Sequence, residues 1–215
     1  MHAILWLSFL ISSFHEAYPH IKIYLDEGSS LDMANSLLDF RNELAIIAKI
    51  EENPDIYFIP FSQEEMLVIL SPNHKLAGKK TLSIRDLARE PIIMKEKGSG
   101  TRKLVSKLFA KKDLTPNILM ETGNTEFIKQ LVQRGDGISF LVKAAVTTEL
   151  KDKKLATVPP DGQKIFLDVS IAYFKDQHLS PPAQAFFDIL RKLGARAKPL
   201  HGIGAFMTEM TAHPK

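Results

Sequence analysis

Apolar positions Leu7, Leu10, Ile11, Phe14 and Ala17 recur at three- and four-residue spacing and predict an amphipathic first helix. Tyr18-Pro19-His20 interrupts the period, and the alternation Ile21-Lys22-Ile23-Tyr24-Leu25 predicts a strand over 21–25. Gly28-Ser29-Ser30 offers a turn and an N-cap for a helix carrying Leu31, Ala34, Leu37 and Leu38, and the apolar run 44–48 completes a β-α-β unit. Strands at 56–60 and 66–70 follow, ahead of the turn Ser71-Pro72-Asn73-His74.

Beyond that turn the alternation resumes. Ser83 caps a short helix with Ile84 and Leu87, residues 91–94 read as a buried strand, and Gly98-Ser99-Gly100-Thr101 leads into a helix with Leu104, Val105, Leu108 and Phe109 on its core face. A strand at 117–120 and the loop Gly123-Asn124-Thr125 precede a helix whose predicted core stripe is Phe127, Ile128, Leu131 and Val132. Gly135 and Gly137 end that helix and open a strand at 138–141. Strands at 155–158 and 165–173 flank the turn Pro159-Pro160-Asp161-Gly162, and Ser180-Pro181-Pro182 starts a last helix bearing Phe186, Phe187, Ile189, Leu190 and Leu193. The tail from Ala195 reads as irregular. Alternating strands and helices predict an α/β class with mostly parallel sheets and right-handed crossovers.

Composition narrows the function more than the fold. With 45% apolar and 25% charged residues among 215, the chain has room for one large domain or two lobes, and disorder and collagen-like repetition are excluded. The absence of cysteine excludes a disulfide framework, a thiolate metal site and a cysteine nucleophile. The longest apolar stretch, 3–13, is too short to span a bilayer, and no Lys or Arg precedes it as in a signal peptide, so a cytoplasmic location is the expectation. A net charge of +3 is too small to argue nucleic-acid binding, so any basic function is local.

Most chemistry is not found. Seven scattered histidines form no i,i+4 pair, so no metal is expected, and neither GxxxxGK[ST] nor GxSxG occurs. The run Gly98 to Lys103 departs from the dinucleotide fingerprint at Lys103, so no cofactor is expected. No acid, base and nucleophile converge, so no catalytic residue is assigned, and the acid pairs Asp26-Glu27 and Glu64-Glu65 read as solvated loop charges.

One constellation rises above this background. From Lys95 to Lys112 there are seven basic residues against one acid, Glu96. Lys103, Lys107 and Lys111, four apart, read as a solvated helix face. In Ser99, Gly100, Thr101 and Arg102, backbone N–H groups at a helix N-terminus combine with two hydroxyls and a cation, an anion site in outline; a tight strand-to-helix turn without a ligand has the same composition. Asn124 and Thr125 occupy the corresponding junction one unit later, as further ligand contacts or as simple helix caps. Ligands of open α/β sheets bind outside the carboxyl ends of parallel strands, where both junctions would lie.

The order of motifs resembles the effector-binding (substrate-binding) domain of LysR-type transcriptional regulators, over about residues 7–193. The carriers are Phe14-x-x-x-Tyr18-Pro19, Glu27-Gly28-Ser29 and Glu43-Leu44-Ala45-Ile46, then Pro60-Phe61 with Met66 through Leu76, and finally Gly98-Ser99-Gly100-Thr101-Arg102 and Leu131-Val132-Gln133-Arg134-Gly135-Asp136-Gly137-Ile138. The resemblance implies two Rossmann-like lobes of the type II periplasmic-binding-protein architecture, joined by two crossing segments near 67–71 and 168–174. Lobe I would take 1–70 and 170–194, lobe II 71–169, with a tail over 195–215. It also implies a small effector in the inter-lobe cleft and a homodimer or higher homo-oligomer. The Gly-Ser-Gly-Thr-Arg variant is similar to the subgroup regulating sulfur metabolism and carbon fixation, whose effectors are small carboxylate, sulfate or phosphate anions. Two departures stand out: no helix-turn-helix precedes the domain, so DNA would be reached only through a part absent from this chain, and the family's first strand with its Ser/Thr loop is missing. A periplasmic-type solute-binding protein for a small anion shares the architecture and is the alternative.

Overall fold

A computed structural model describes the backbone of residues 2–49, 51–161 and 163–196, and the side chains of 7–49, 51–161 and 163–194. In chain order the elements are α1 (His2–Ala17), α2 (Ser30–Leu38), β1 (Ala45–Ala48), β2 (Ile56–Leu70), α3 (Ile84–Ala88), β3 (Ile92–Lys95), α4 (Gly100–Ala110), β4 (Ile118–Thr122), α5 (Thr125–Arg134), β5 (Ser139–Val142), α6 (Lys143–Lys151), β6 (Ala156–Thr157), β7 (Ile165–Phe174) and α7 (Pro181–Arg196). The chain divides into two compact units, one of residues 1–64 and 168–215 and one of 65–167, so that β2 and β7 each run from one unit into the other.

In the first unit β1 pairs antiparallel with β7, from Ala45 opposite Ala172 to Ala48 opposite Val169. Alternate side chains face opposite ways. Ile46 and Ile171 join Leu10 of α1 and Phe187 and Leu190 of α7, whereas Ala45, Ile47 and Ala172 pack with Leu37 of α2. Phe14, almost fully buried, meets Phe186 edge-on at 5.1 Å. Ser29 closes a capping box with Asp32 at the start of α2, as its place before Leu31 predicted. Trp6 and the tail from Ala195 lie outside the described side chains.

The strand predicted at 21–25 does not form. Alternation supplies a face but not a partner, and a strand exists only where a neighbouring backbone pairs with it. Residues 21–25 run beside a cavity whose other wall includes Ala45 and Ile46, which leaves Tyr24 84% and Leu25 58% exposed.

In the second unit β3 lies between β4 and β5. It is parallel to β4 and bridged in parallel to the entry of β5, with Ile93 N–H donating to the Ile138 carbonyl and Ile138 N–H to that of Pro91, both at 2.9 Å. Ile92, Ile93 and Met94 are buried, as the uninterrupted apolar run predicted. Val105 and Phe109 of α4 pack on one side, and Ile128 and Val132 of α5 on the other.

Four further expectations change. The sheets are not mostly parallel: β1–β7, β2–β5 and β2–β6 are all antiparallel. The strands expected at 56–60 and 66–70 are one fifteen-residue strand. Its polar middle is no loop, because Gln63 donates to Asp168 at 2.7 Å and Glu65 pairs with Lys143 at 3.0 Å and Lys164 at 3.1 Å, which also removes Glu65 from the solvated loop charges. Helix α6 has no counterpart among the predicted elements. On α5, Phe127 is 46% exposed and Lys129, 1% exposed, takes a buried position instead. The lysine is tolerated there because Glu126 and Glu149 of α6 each approach its Nζ to 2.7 Å and the Ala145 carbonyl accepts from it at 3.3 Å.

That pairing outweighs the burial opposing both charges, so the Lys129 ammonium titrates above, and the Glu149 carboxyl below, its ordinary range. Lys129→Ala leaves Glu149 without its cation, and urea unfolding at pH 7 is expected to show a loss of about 3 kcal/mol. A carboxyl with a depressed folded value contributes stability above its unfolded value and loses it as pH falls through the folded one. The wild-type unfolding free energy should therefore decline below about pH 4.3 more steeply than that of Lys129→Ala.

Candidate functional site

The carboxyl ends of the adjacent parallel strands β3 and β4 lead directly into α4 and α5. All six predicted residues sit at these two junctions: Ser99, Gly100, Thr101 and Arg102 at the start of α4, Asn124 and Thr125 at the start of α5. Gly98, at φ 90°, makes the turn between β3 and Ser99, a conformation that a side chain would strain. The loops touch through Gly123, where an added Cβ would lie 2.8 Å from Glu96 Oε2.

The two helix starts differ. Asn124 caps α5, its Oδ1 accepting from Phe127 N–H at 3.0 Å, which gives this residue the structural role that its type allows. Ser99 occupies the N-cap position of α4, is 7% exposed, and makes no side-chain cap hydrogen bond. Ser99 N–H donates to the Glu96 carbonyl and Lys103 N–H to that of Ser99, whereas among the described residues the N–H groups of Gly100, Thr101 and Arg102 have no hydrogen-bond partner. Helices α2 and α3, by contrast, begin with complete capping boxes.

Charge around the junctions is internally balanced. Arg102 Nη1 lies 2.6 Å from Glu121 Oε1 and donates to the Lys95 carbonyl at 3.3 Å. Lys95 Nζ donates to the Gly123 carbonyl, stands 3.5 Å from Thr125 Oγ1, and is 3.6 Å from Glu96 Oε2, an oxygen buried without a hydrogen bond. Three charged residues outside the predicted set, Lys95, Glu96 and Glu121, therefore shape the site. The register of β3 on β4 sets Met94 opposite Glu121 and Lys95 opposite Thr122, a juxtaposition that the predicted end of β4 at Met120 hid. Lys103 and Lys107 on α4 and Lys111 at its C-cap are exposed, as the solvated-face reading has it. No group of His, Asp or Glu among the described residues could hold a metal ion, and no described helix is long and apolar enough to cross a membrane.

The LysR substrate binding domain family matches residues 2–195, and the chain belongs to it. It is 35% identical over 181 residues to the HTH-type transcriptional activator CmpR of Synechocystis sp., covering 84% of this chain and 60% of that protein. It is also 27% identical over 187 residues to the RuBisCO operon transcriptional regulator of Allochromatium vinosum, covering 87% and 62%. The chain thus spans about three fifths of the length of these regulators. Among solved structures it resembles the Synechocystis CcmR regulatory domain in complex with 2-PG (TM-score 0.82, 29% identity, 91% of this chain and 94% of that one). It likewise resembles the effector binding domain of QuiR in complex with shikimate (TM-score 0.79, 26% identity, 88% and 90%). The fold is accordingly the type II periplasmic-binding-protein architecture of LysR regulatory domains.

Proposed function

We propose that this chain is the sensing domain of a LysR-type transcriptional regulator and binds a small anionic metabolite of carboxylate, sulfate or phosphate type at the carboxyl edge of β3 and β4. The observation that carries the reading is the uncapped start of α4: three free N–H groups behind a nearly buried serine, with Arg102 beside them. Gly100 and Thr101 N–H, the Ser99 and Thr101 hydroxyls and the Arg102 guanidinium are the donors we assign, with Asn124 and Thr125 lining the second junction. The similarity to domains in complex with 2-PG and shikimate supports a small polar effector.

The magnitudes agree. A helix N-terminus favours an anion by about 0.3–1 kcal/mol when exposed and ~2 kcal/mol when partly buried. Hydrogen bonds to a charged group contribute roughly 1.5–3 kcal/mol each, so three or four reach the ~8 kcal/mol of a micromolar complex before ordering costs are subtracted. The ligand competes with Glu121 for Arg102, which holds the affinity in that range rather than a tighter one. Binding then biases the domain between two states, and a longer regulator carries the bias to its DNA-binding part.

Calorimetric titration with sulfate, phosphate, phosphoglycolate, acetylserine and shikimate tests the site. Thr101→Ala should weaken the binding anion about tenfold without changing the melting temperature, and Lys111→Ala on the solvated face should leave affinity within about twofold. Equal loss in both variants would show that the anion senses only diffuse positive charge.

We also propose that the domain self-associates. Helix α1 presents Phe9, 52% exposed, on the side away from buried Leu10 and Phe14, which extends its apolar surface beyond what one-sided packing needs. Light scattering across a concentration series should give a dimer or larger, and a monomer at every concentration would contradict this.

A further inference from the structure

We propose, on the basis of the anion site described above, that Glu121 determines its specificity, so that the effector is a small carboxylate bearing a hydroxyl or ammonium group on the adjacent carbon rather than a bare anion. Two cations, Lys95 and Arg102, share the carboxyl edge of β3 and β4 with two carboxylates, Glu96 and Glu121. An ionised carboxylate only accepts hydrogen bonds, so a bare anion offers these two nothing. Glu121, carried on β4 opposite Met94, lays its Oε1 2.6 Å from Arg102 Nη1, and among the described residues its carboxylate has no other partner. The Arg102 and Glu121 side chains are 18% and 35% exposed, so water screens the pair only in part. Glu96 Oε2 is buried without a hydrogen bond, 3.6 Å from Lys95 Nζ. A buried acceptor left open in this way is completed by a donor from outside the chain.

An effector anion that takes Arg102 displaces Glu121 from its cation and then stands beside it as a like charge. One partner of a partly buried ion pair is thereby left uncompensated, and two anionic groups at one site disfavour each other. Glu121 is thus a resident counter-ion that weakens the binding of any anion without a donor. A hydroxyl or ammonium one carbon from the effector's carboxylate reverses the balance, because it donates to the displaced Glu121 while the carboxylate meets Arg102 and the N–H groups of Gly100 and Thr101. Rejection of the analogue that lacks the donor is then built into the site, since an acceptor left unpaired costs more than its pairing gains. The backbone N–H groups receive an anion, and Glu121 decides which anion keeps its place.

Lactate, alanine and propionate are the same carboxylate carrying a hydroxyl, an ammonium or a hydrogen on the adjacent carbon. Titrations of the 15N-labelled chain, read at the amides of Gly100 and Thr101, should show lactate or alanine binding about tenfold or more tighter than propionate, and the tighter of the two identifies the donor. Glu121→Leu frees Arg102 and removes the acceptor, so propionate should bind about fivefold tighter than to the wild type and the preference should fall below about threefold. Glu121→Gln keeps the side-chain shape without the charge and should also tighten propionate; it decides the matter where the leucine variant does not fold. Asp113→Asn removes one negative charge just beyond the carboxyl end of α4, at an exposed residue whose left-handed backbone (φ 54°) suits Asn, and should leave all three affinities within about twofold. The proposal is overturned by equal binding of the three ligands to the wild type, by propionate binding that neither Glu121 variant tightens, or by an equal gain in Asp113→Asn. If sulfate still shifts Gly100 and Thr101 and Thr101→Ala weakens it, any of those results removes only the role of Glu121 and the anion site stands. No shift with any of these anions removes both.

Discussion

The seating of β3 between β4 and β5 is the constraint from which the site follows. Gly137 makes it possible: a Cβ there would lie 2.6 Å from the Pro91 carbonyl oxygen, so any side chain would push the entry of β5 off β3. Once the strands close, Ser139 Oγ donates to the Ile93 carbonyl at 2.6 Å, and the clusters around Phe109 and around Ile128 clamp β3 from both faces. Burial of three consecutive large side chains, at about 1.5–3 kcal/mol each, fixes the height at which β3 ends. The starts of α4 and α5 inherit that position, because four residues separate β3 from α4 and two separate β4 from α5.

At that edge cations and acids are interleaved rather than segregated. Arg102 pairs with Glu121 and Lys95 lies beside Glu96, and in the function proposed above the selective element is the set of backbone N–H groups at α4 and not the lysines farther along the helix. Exposed charges such as Lys107 contribute little to stability. The buried Lys129 with Glu126 and Glu149 belongs to a different economy: it fastens α5 to α6.

What was legible in the sequence was whatever a local signal decides. Ser29, Ser83 and Gly135 mark helix ends by cap chemistry alone, and all three do so in the structure. The run Ile92-Ile93-Met94 could only be a buried strand, and the glycine-bearing junctions after β3 and β4 were visible as turns. What was not legible depends on partners far along the chain. Lys129 reads as a surface lysine until Glu149 arrives twenty residues later, and Gln63 and Glu65 read as loop until Asp168, Lys143 and Lys164 are in place. Residues 21–25 show the reverse, a strand pattern with no strand, because alternation cannot report whether a neighbour is present. The six predicted site residues lie at the two junctions, but Glu121 and Lys95 were found only through the register of β3 on β4.

The central claim is that the free N–H groups at the start of α4 receive an anion. An amide chemical-shift titration of the 15N-labelled chain with phosphoglycolate addresses it most directly. The account predicts saturable shifts concentrated at residues 98–102 and 123–125, with Gly100 and Thr101 moving downfield as their N–H groups become hydrogen-bonded. Shifts confined to the exposed face of Lys103, Lys107 and Lys111, or none at all with phosphoglycolate, sulfate and shikimate alike, would contradict it.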